Sequence, residues 1–176
     1  MNASIIDRLI EHFLQINSFL METRQISMSL EINNHYRKII LFSCASLYEH
    51  ELSKSIKELF MHRTGNSEQL VSFVFSKAID RQYHTYFDWK NGSINTFLSL
   101  WGEGFKKMIK NKIAQNKELK EAMESFLEMG RERNCLAHEN FLDYNLEKSV
   151  EEVIGMHKKA SLFVDFLITE ITQMGQ

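Results

Sequence analysis

The chain of 176 residues contains no proline and only 7 glycines. An average chain of this length would hold roughly nine prolines, at the usual share of about 5%. Because proline interrupts helices and is common in loops, its absence favours long, uninterrupted α-helices. Collagen-like and other low-complexity fibres are excluded, since such sequences are rich in glycine and proline.

Cysteine is also scarce. Cys44 and Cys135 are the two cysteines, and no Cys-x-x-Cys pair occurs. This excludes a zinc ribbon and a dense disulfide framework, and it fits a reducing compartment. Residues 1–13 carry charges among their apolar positions, and no run of 18 apolar residues occurs. The sequence therefore predicts neither a secretory signal nor a membrane-spanning helix, and we expect a cytoplasmic protein without membrane partners.

Positive and negative charges are nearly balanced. The chain has 21 Lys and Arg against 23 Asp and Glu, a net charge of −2. The whole protein therefore does not attract nucleic acid, and an anionic ligand must be bound by a local group of cations. Hydrophobic residues make up 44% of the chain, which is typical of a globular rather than a disordered protein. The length predicts a single domain over residues 1–176.

Apolar residues recur at helical spacing along most of the chain. They predict a first helix over residues 4–31, ended by Asn33 and Asn34, and a second helix over residues 35–62. Residues 64–67, Thr-Gly-Asn-Ser, predict the turn that follows.

Three further helices are predicted over residues 106–115, 117–129 and 146–174. The last one repeats its apolar residues over four heptads, which suits antiparallel packing or contact with a second subunit. Residues 68–105 are rich in aromatic side chains and predict two or three short helices that cover the bundle, with base stacking as the alternative. We therefore predict an all-α, single-domain helical bundle with a long C-terminal helix and an aromatic helical insertion.

The sequence contains none of the common motifs that bind a catalytic metal or a nucleotide. No glutamate has a histidine three residues later, as a di-iron bundle requires. No His-Glu-x-x-His, P-loop or Gly-x-Gly-x-x-Gly segment occurs either. We therefore expect no metal site and no cofactor.

One segment, residues 130–140, holds an arginine and a histidine that suit RNA cleavage without a metal. Arg133 is a permanent planar cation that can bind two phosphate oxygens, and His138 can accept a proton from the 2′-hydroxyl near neutral pH. Five residues of a straight helix turn by about 140°, so a shared site requires a local break, for which Gly130 and Asn134 are candidates. The alternative is a helix end at which both side chains are solvated.

The order Arg133-Asn134-x-x-x-His138 before a long final helix resembles the Arg-x4–6-His motif of the HEPN superfamily. The second predicted helix, with Ser-Leu-Tyr-Glu at residues 46–49, also resembles the second helix of the HEPN branch found beside RiboL-PSP modules. The resemblance covers about residues 35–145.

This resemblance implies a homodimer with a composite active site, in which two Arg/His pairs meet across the interface. It implies a metal-independent endoribonuclease of a toxin–antitoxin or anti-phage system, which leaves a 2′,3′-cyclic phosphate on its RNA substrate. His138 would be the general acid or base, Arg133 would stabilise the pentavalent phosphate, and Asn134 would orient the phosphate or the motif backbone. In one branch the antitoxin transfers AMP to a tyrosine two residues after the histidine. Asn140 stands at that position in this chain, so the residue on which this kind of antitoxin control depends is missing. An antitoxin or other regulatory protein is still a partner that the resemblance implies.

Other residues could support the site. Glu49 lies at the edge of the apolar stripe of the second helix, where it could pair with Arg133, orient His138 or be an exposed helix residue. Arg131 could contact the RNA backbone together with a lysine-rich stretch, whose alternative role is an ordinary solvated helix face. The lysines of that stretch are Lys106, Lys107, Lys110, Lys112, Lys117 and Lys120.

The favoured function is therefore a HEPN-type endoribonuclease. Two alternatives stay open: a catalytically silent HEPN-like module that binds RNA or a partner protein, and a helical scaffold in which Arg133 and His138 are structural. His157 is expected to be a packed or hydrogen-bonded histidine, and Cys135 a small filler rather than a nucleophile.

Overall fold

The computed structural model describes residues 3–80 and 82–174. In these ranges the chain forms eight α-helices packed into a bundle, and it forms no β-strand. The helices are α1 (Ala3–Glu22), α2 (Ile26–Arg63), α3 (Glu68–Val74), α4 (Tyr83–Tyr86), α5 (Asn95–Leu100), α6 (Glu103–Gln115), α7 (Lys117–His138) and α8 (Val150–Gln173). A π-helical turn, Phe75–Ile79, continues α3. The all-α bundle predicted from the sequence is confirmed.

The centre of the bundle is α2, against which α7 and α8 pack. Its residues Ile40, Leu41 and Leu52 are fully buried. Burial of one such side chain contributes about 1.5–3 kcal/mol, so this helix anchors the core. None of the helices in the described ranges is both long and apolar enough to cross a membrane.

Helix α8 runs antiparallel to α7. Lys159 of α8 pairs with Glu121 at 3.0 Å, whereas Lys148, just before α8, pairs with Glu128 at 2.7 Å. A capping box starts α8, since the Ser149 hydroxyl accepts a hydrogen bond from the Glu152 N–H at 3.1 Å. The heptad residues of α8 are buried within the protomer: Val150, Val153, His157, Ala160, Val164, Leu167 and Ile171. Antiparallel packing inside the chain therefore accounts for this apolar repeat.

The predicted break between the first two helices was wrong. Helix α1 ends at Glu22, and Arg24 adopts a positive φ of 59° in the short turn before α2. Asn33 lies inside α2, where its side-chain amide donates to Asn17 Oδ1 at 3.0 Å and to the Ser29 carbonyl at 2.8 Å. Asparagine disfavours helices when its side chain competes for nearby backbone groups, but here a contact with α1 satisfies it.

The aromatic segment forms the expected short helices and closes one side of the bundle. The Phe87 ring lies 4.9 Å from Trp89, 4.9 Å from Phe97 and 5.0 Å from Phe126, measured between centroids. These rings are buried, so they belong to the core and do not form a platform for base stacking. Between α4 and α5 the chain turns at Gly92, which has a positive φ of 61°.

The predicted end of the helix at residue 129 was also wrong, because α7 continues without a break to His138. Gly130 is not a helix breaker here. A Cβ atom at this position would overlap the six-membered ring of Trp89, so glycine lets the aromatic segment approach α7 closely. Asn134 likewise lies within the helix. The local break expected to bring Arg133 and His138 together does not occur.

Candidate active site at the end of α7

Arg133 faces α2 from the penultimate turn of α7. Its Nη2 atom lies 3.1 Å from Glu49 Oε2, and its guanidinium lies 5.6 Å from the centre of the Phe42 ring. The side chain is 23% exposed, so the cation is held against the bundle and remains partly open to solvent. Of the two partners expected for Glu49, the structure pairs it with Arg133.

Asn134, the next residue of α7, is hydrogen-bonded to Arg133 of this ion pair. Its Oδ1 atom accepts a hydrogen bond from Arg133 Nη1 at 3.1 Å. Asn134 also lines a surface cavity of about 500 Å³ between the end of α7 and the aromatic segment. The arginine therefore fixes the carboxamide, and the carboxamide borders a space that a ligand can enter.

His138 is the last residue of α7 and is exposed. It lines the same cavity as Asn134, with Arg131 and Cys135 on the helix side. Residues 87–90 form the facing wall. The structure thus brings His138, Asn134 and Arg131 together at one cavity.

Arg133 does not line this cavity. Five residues of continuous helix separate it from His138, a rotation of about 140°. Within one protomer the two side chains of the motif therefore face different surfaces. Asn134 and the exposed Ala137 lie between them around the helix axis.

Carboxylates surround Arg131. Its Nη2 atom lies 2.9 Å from Glu132 Oε1 and 3.9 Å from Glu128 Oε1. Its hydrogen bond to Glu132 raises the pKa of the Arg131 guanidinium. The Tyr144 hydroxyl donates to Glu132 Oε2 at 2.6 Å, and burial followed by this bond raises the pKa of Tyr144. Arg131 thus reaches the cavity as a partly neutralised cation.

Lys38 of α2 was not predicted to be a functional residue from the sequence. Its side chain is 1% exposed, and its Nζ atom donates to the carbonyl oxygens of Phe141 at 2.9 Å and Leu142 at 3.2 Å. Burial, and then the neighbouring charge of Arg37, lower the pKa of Lys38. These bonds fasten the connection that follows His138 to the centre of the bundle.

A signal for Lys38 was present in the sequence. The residue lies three positions before Leu41 and continues the buried stripe of α2, so the pattern places an amine where an apolar side chain is expected. A buried amine needs partners, and backbone carbonyls from a connecting segment are suitable ones.

The lysine-rich stretch forms mostly local ion pairs. Four of its six lysines lie within 4.0 Å of a carboxylate. These pairs are Lys106–Glu103, Lys112–Glu170, Lys117–Glu121 and Lys120–Glu124. In the described part of the chain, Lys107 and Lys110 form no ion pair. Contact of Lys106, Lys107 and Lys110 with RNA stays a prediction.

His157 is packed, as expected. It is 7% exposed, and its Nδ1 atom lies 2.7 Å from the Tyr48 hydroxyl in the core. Burial lowers the pKa of His157, which therefore remains neutral at neutral pH. Across residues 3–80 and 82–174, no three His, Cys, Asp or Glu side chains cluster in a way that could hold a metal ion.

Comparison of the sequence with known protein families identifies the family of this chain. The sequence model of the RiboL-PSP-HEPN family matches residues 4–173, a longer stretch than the resemblance predicted over about residues 35–145. No curated protein matches the chain, and no solved structure matches it. Since the family match extends over almost the whole sequence, the chain belongs to the RiboL-PSP-HEPN family of the HEPN superfamily.

Proposed function

We propose that the protein is a metal-independent endoribonuclease, which cleaves RNA by attack of the 2′-hydroxyl and leaves a 2′,3′-cyclic phosphate. The observation that carries this proposal is the position of His138, an exposed histidine beside Asn134 in an open cavity. Arg133, little more than one helical turn away, is held by Glu49. Membership of the RiboL-PSP-HEPN family supports it. The order of this arginine and histidine in the sequence also resembles the motif of the superfamily.

The chemistry divides between three side chains. His138 accepts the proton of the 2′-hydroxyl, a contribution of about 10²–10⁴-fold for a well-placed acid or base. Arg133 stabilises the negative charge that develops on the pentavalent phosphate. Asn134 directs its amide N–H groups to a phosphate oxygen, because its Oδ1 atom is already bonded to Arg133.

Within one protomer Arg133 does not line the cavity of His138, so one protomer does not complete the site, and the leaving 5′-oxygen takes its proton from solvent. We therefore propose a homodimer whose two-fold axis passes near the exposed end of α7. Asn134 and Ala137 would lie at the contact, and the small alanine allows close approach. Such a contact brings His138 of one protomer and the partner's Arg133 into one cleft.

The proposed cellular role is that of a toxin or anti-phage effector that stops growth by cleaving RNA. An antitoxin or regulatory protein would bind it to control this activity. Expression of the wild type should then inhibit growth, and expression of His138→Ala should not.

The direct test is cleavage of end-labelled RNA by the wild type, Arg133→Ala and His138→Ala. Both variants should lose cleavage while keeping the helical circular dichroism spectrum, and EDTA should have no effect. His62→Ala is the matched control, since His62 is exposed on α2 and does not line the cavity. Full activity in His138→Ala would overturn the site, and loss of cleavage with EDTA would overturn the metal-free mechanism.

One observation favours the catalytically silent alternative: Arg133 is paired with Glu49 and does not line the cavity of His138. A silent module would bind RNA without cutting it. Binding of several RNA sequences, with no cleavage of any by the dimer, would favour this second function.

A further inference from the structure

Three neighbouring cavities lie end to end along α7. Their volumes are about 460, 270 and 500 Å³. The first and second share Gly92, and the second and third share Trp89, Lys90 and Arg131. We name this row of three cavities the α7 groove, which extends from Lys110 at one end to His138 at the other.

One face of α7 forms a wall of this groove along its whole length. The helix residues that line it recur every three or four positions, which is the spacing of a single helical face. They include Lys120, Met123, Leu127, Arg131 and His138. At a rise of about 1.5 Å per residue, the wall from Lys120 to His138 is about 27 Å long.

The opposite wall is fixed rather than a mobile loop. The backbone N–H and C=O groups of Asp88 and Ser93 form two mutual hydrogen bonds at 2.9 and 3.0 Å. Asp88 also accepts two hydrogen bonds from Asn91, and they lower the pKa of its carboxyl. Trp89 packs against Gly130 of α7. The groove is therefore formed before any ligand binds.

Cations line the α7 groove from end to end. They are Lys110, Lys120, Lys90 and Arg131. Within the described part of the chain, Lys90 and Lys110 form no ion pair, so both can bind an anion without first losing a carboxylate.

The lining carboxylates are already engaged. Glu128 lies 2.7 Å from Lys148, and Glu124 lies 4.0 Å from Lys120. Asp88 accepts the two hydrogen bonds from Asn91. Between these charged groups the half-buried Met123 and the buried Leu127 line the groove. A groove lined by cations suits a single strand, whose backbone phosphates are accessible along its length.

We propose that the α7 groove binds a single strand of RNA by its backbone phosphates and leads it to His138. The identity of the ligand rests on the proposed function, whereas the cations and the shape are properties of the groove itself. Lys90 and Lys110 each bind one phosphate. Lys106 and Lys107, which do not line the groove, contribute less than Lys110.

The test is the affinity for a fluorescent 2′-O-methyl RNA oligonucleotide, measured by anisotropy across a range of salt. This probe has no free 2′-hydroxyl, so binding is measured without cleavage. Lys90→Gln and Lys110→Gln should each reduce the slope of log K against log salt by about 0.7. Ala114→Glu should weaken binding too, because the exposed Ala114 lines the groove and the change adds a negative charge there.

The matched control is Lys158→Gln, which removes the same charge from an exposed lysine of α8 outside the groove. Its salt slope should equal that of the wild type. If all four variants bind the RNA as tightly as the wild type, the proposal that the α7 groove binds RNA is wrong, even if the protein cleaves RNA. Absence of binding by the wild type would overturn it as well. If His138→Ala cuts RNA normally but the lysine variants bind weakly, the proposed mechanism fails and the groove stands.

A protein ligand is the competing occupant. The competitor is an oligoglutamate peptide that has the same number of negative charges as the RNA but no nucleobases. Displacement of the RNA probe by this peptide at equal concentration would overturn the assignment to RNA. Crosslinking of a 4-thiouridine RNA to residues 88–95, read by mass spectrometry, should instead place the strand in the groove.

Discussion

Arg133 of α7 and Glu49 of α2 form an ion pair of 3.1 Å, 84 residues apart in sequence. The pair turns the motif arginine away from the cavity of the motif histidine. Glu49 is 36% and Arg133 is 23% exposed in their side chains, so solvent screens the attraction only in part. The ion pair therefore orients Arg133 more than it stabilises the fold.

This relationship predicts a small coupling energy. A double-mutant cycle with Glu49→Ala and Arg133→Ala, measured by urea unfolding, should give about 0.5–1 kcal/mol. The control pair is Lys54 and Glu58, an exposed pair at 3.9 Å on α2, which should give less than about 0.5 kcal/mol. A coupling energy at Glu49 no larger than that of the control pair would show that Glu49 holds Arg133 no more firmly than two exposed side chains hold each other.

The close approach of Trp89 to Gly130 predicts that Gly130→Ala destabilises the protein. Alanine is the better helix former by about 1 kcal/mol, but its Cβ would overlap the Trp89 ring, and overpacking costs about 1–3 kcal/mol. Gly155→Ala is the matched control, because Gly155 lies in α8 with open space around its Cβ position. Urea unfolding should show Gly155→Ala stabilised and Gly130→Ala destabilised. Stabilisation of both would show that Trp89 moves aside freely.

The same contact explains why part of the fold could not be predicted. The sequence neighbours of Gly130 alone predict that this glycine breaks a helix. The reason for the glycine is Trp89, 41 positions earlier, in a segment without regular periodicity. Asn33 was predicted to end the first helix, but its hydrogen bond to Asn17 of α1 satisfies its side chain inside α2. The first helix ends at Glu22, about nine residues before its predicted end.

The helices with a regular apolar period were predictable. The repeat that ends at Ile171 identified α8, and the apolar stripe through Tyr48 identified α2, because both helices bury one continuous face. The edge of that stripe also placed Glu49 within reach of Arg133. The cavity of His138 could not be foreseen, since its facing wall comes from residues 87–90 of the aromatic segment.

The hydrogen bonds of Lys38 predict that its loss loosens the segment that follows His138. Lys38→Met keeps the apolar stem but leaves the carbonyls of Phe141 and Leu142 without their donor. Residues 139–149 should exchange their amide hydrogens faster, measured by mass spectrometry, and RNA cleavage should fall. Lys54→Met, on the exposed side of the same helix, should change neither. Unchanged exchange in Lys38→Met would contradict a fastening role.

The burial of His157 predicts that the free energy of unfolding depends on pH. Burial lowers its pKa in the folded state below the value of 6.5 expected when unfolded, so the unfolded chain binds more protons as pH falls. The contribution of His157 is therefore complete above pH 6.5 and declines as the pH drops below it. His157→Gln, which can still bond the Tyr48 hydroxyl, should show a shallower loss of unfolding free energy between pH 7 and 5. Identical slopes for the two proteins would show that His157 is not the titrating group.

The proposed dimer predicts recovery of activity when two inactive proteins are mixed. Arg133→Ala keeps His138, and His138→Ala keeps Arg133, so a heterodimer holds one cleft with an intact histidine and the partner's intact arginine. About half of the dimers in an equimolar exchanged mixture are heterodimers, and cleavage should rise above that of either variant alone. Introducing Ala137→Arg into both variants should abolish the recovery, because a large cation would then face itself across the contact. Native mass spectrometry measures heterodimer formation independently. Heterodimers that form but cleave no RNA would mean that the two side chains do not act in one shared cleft.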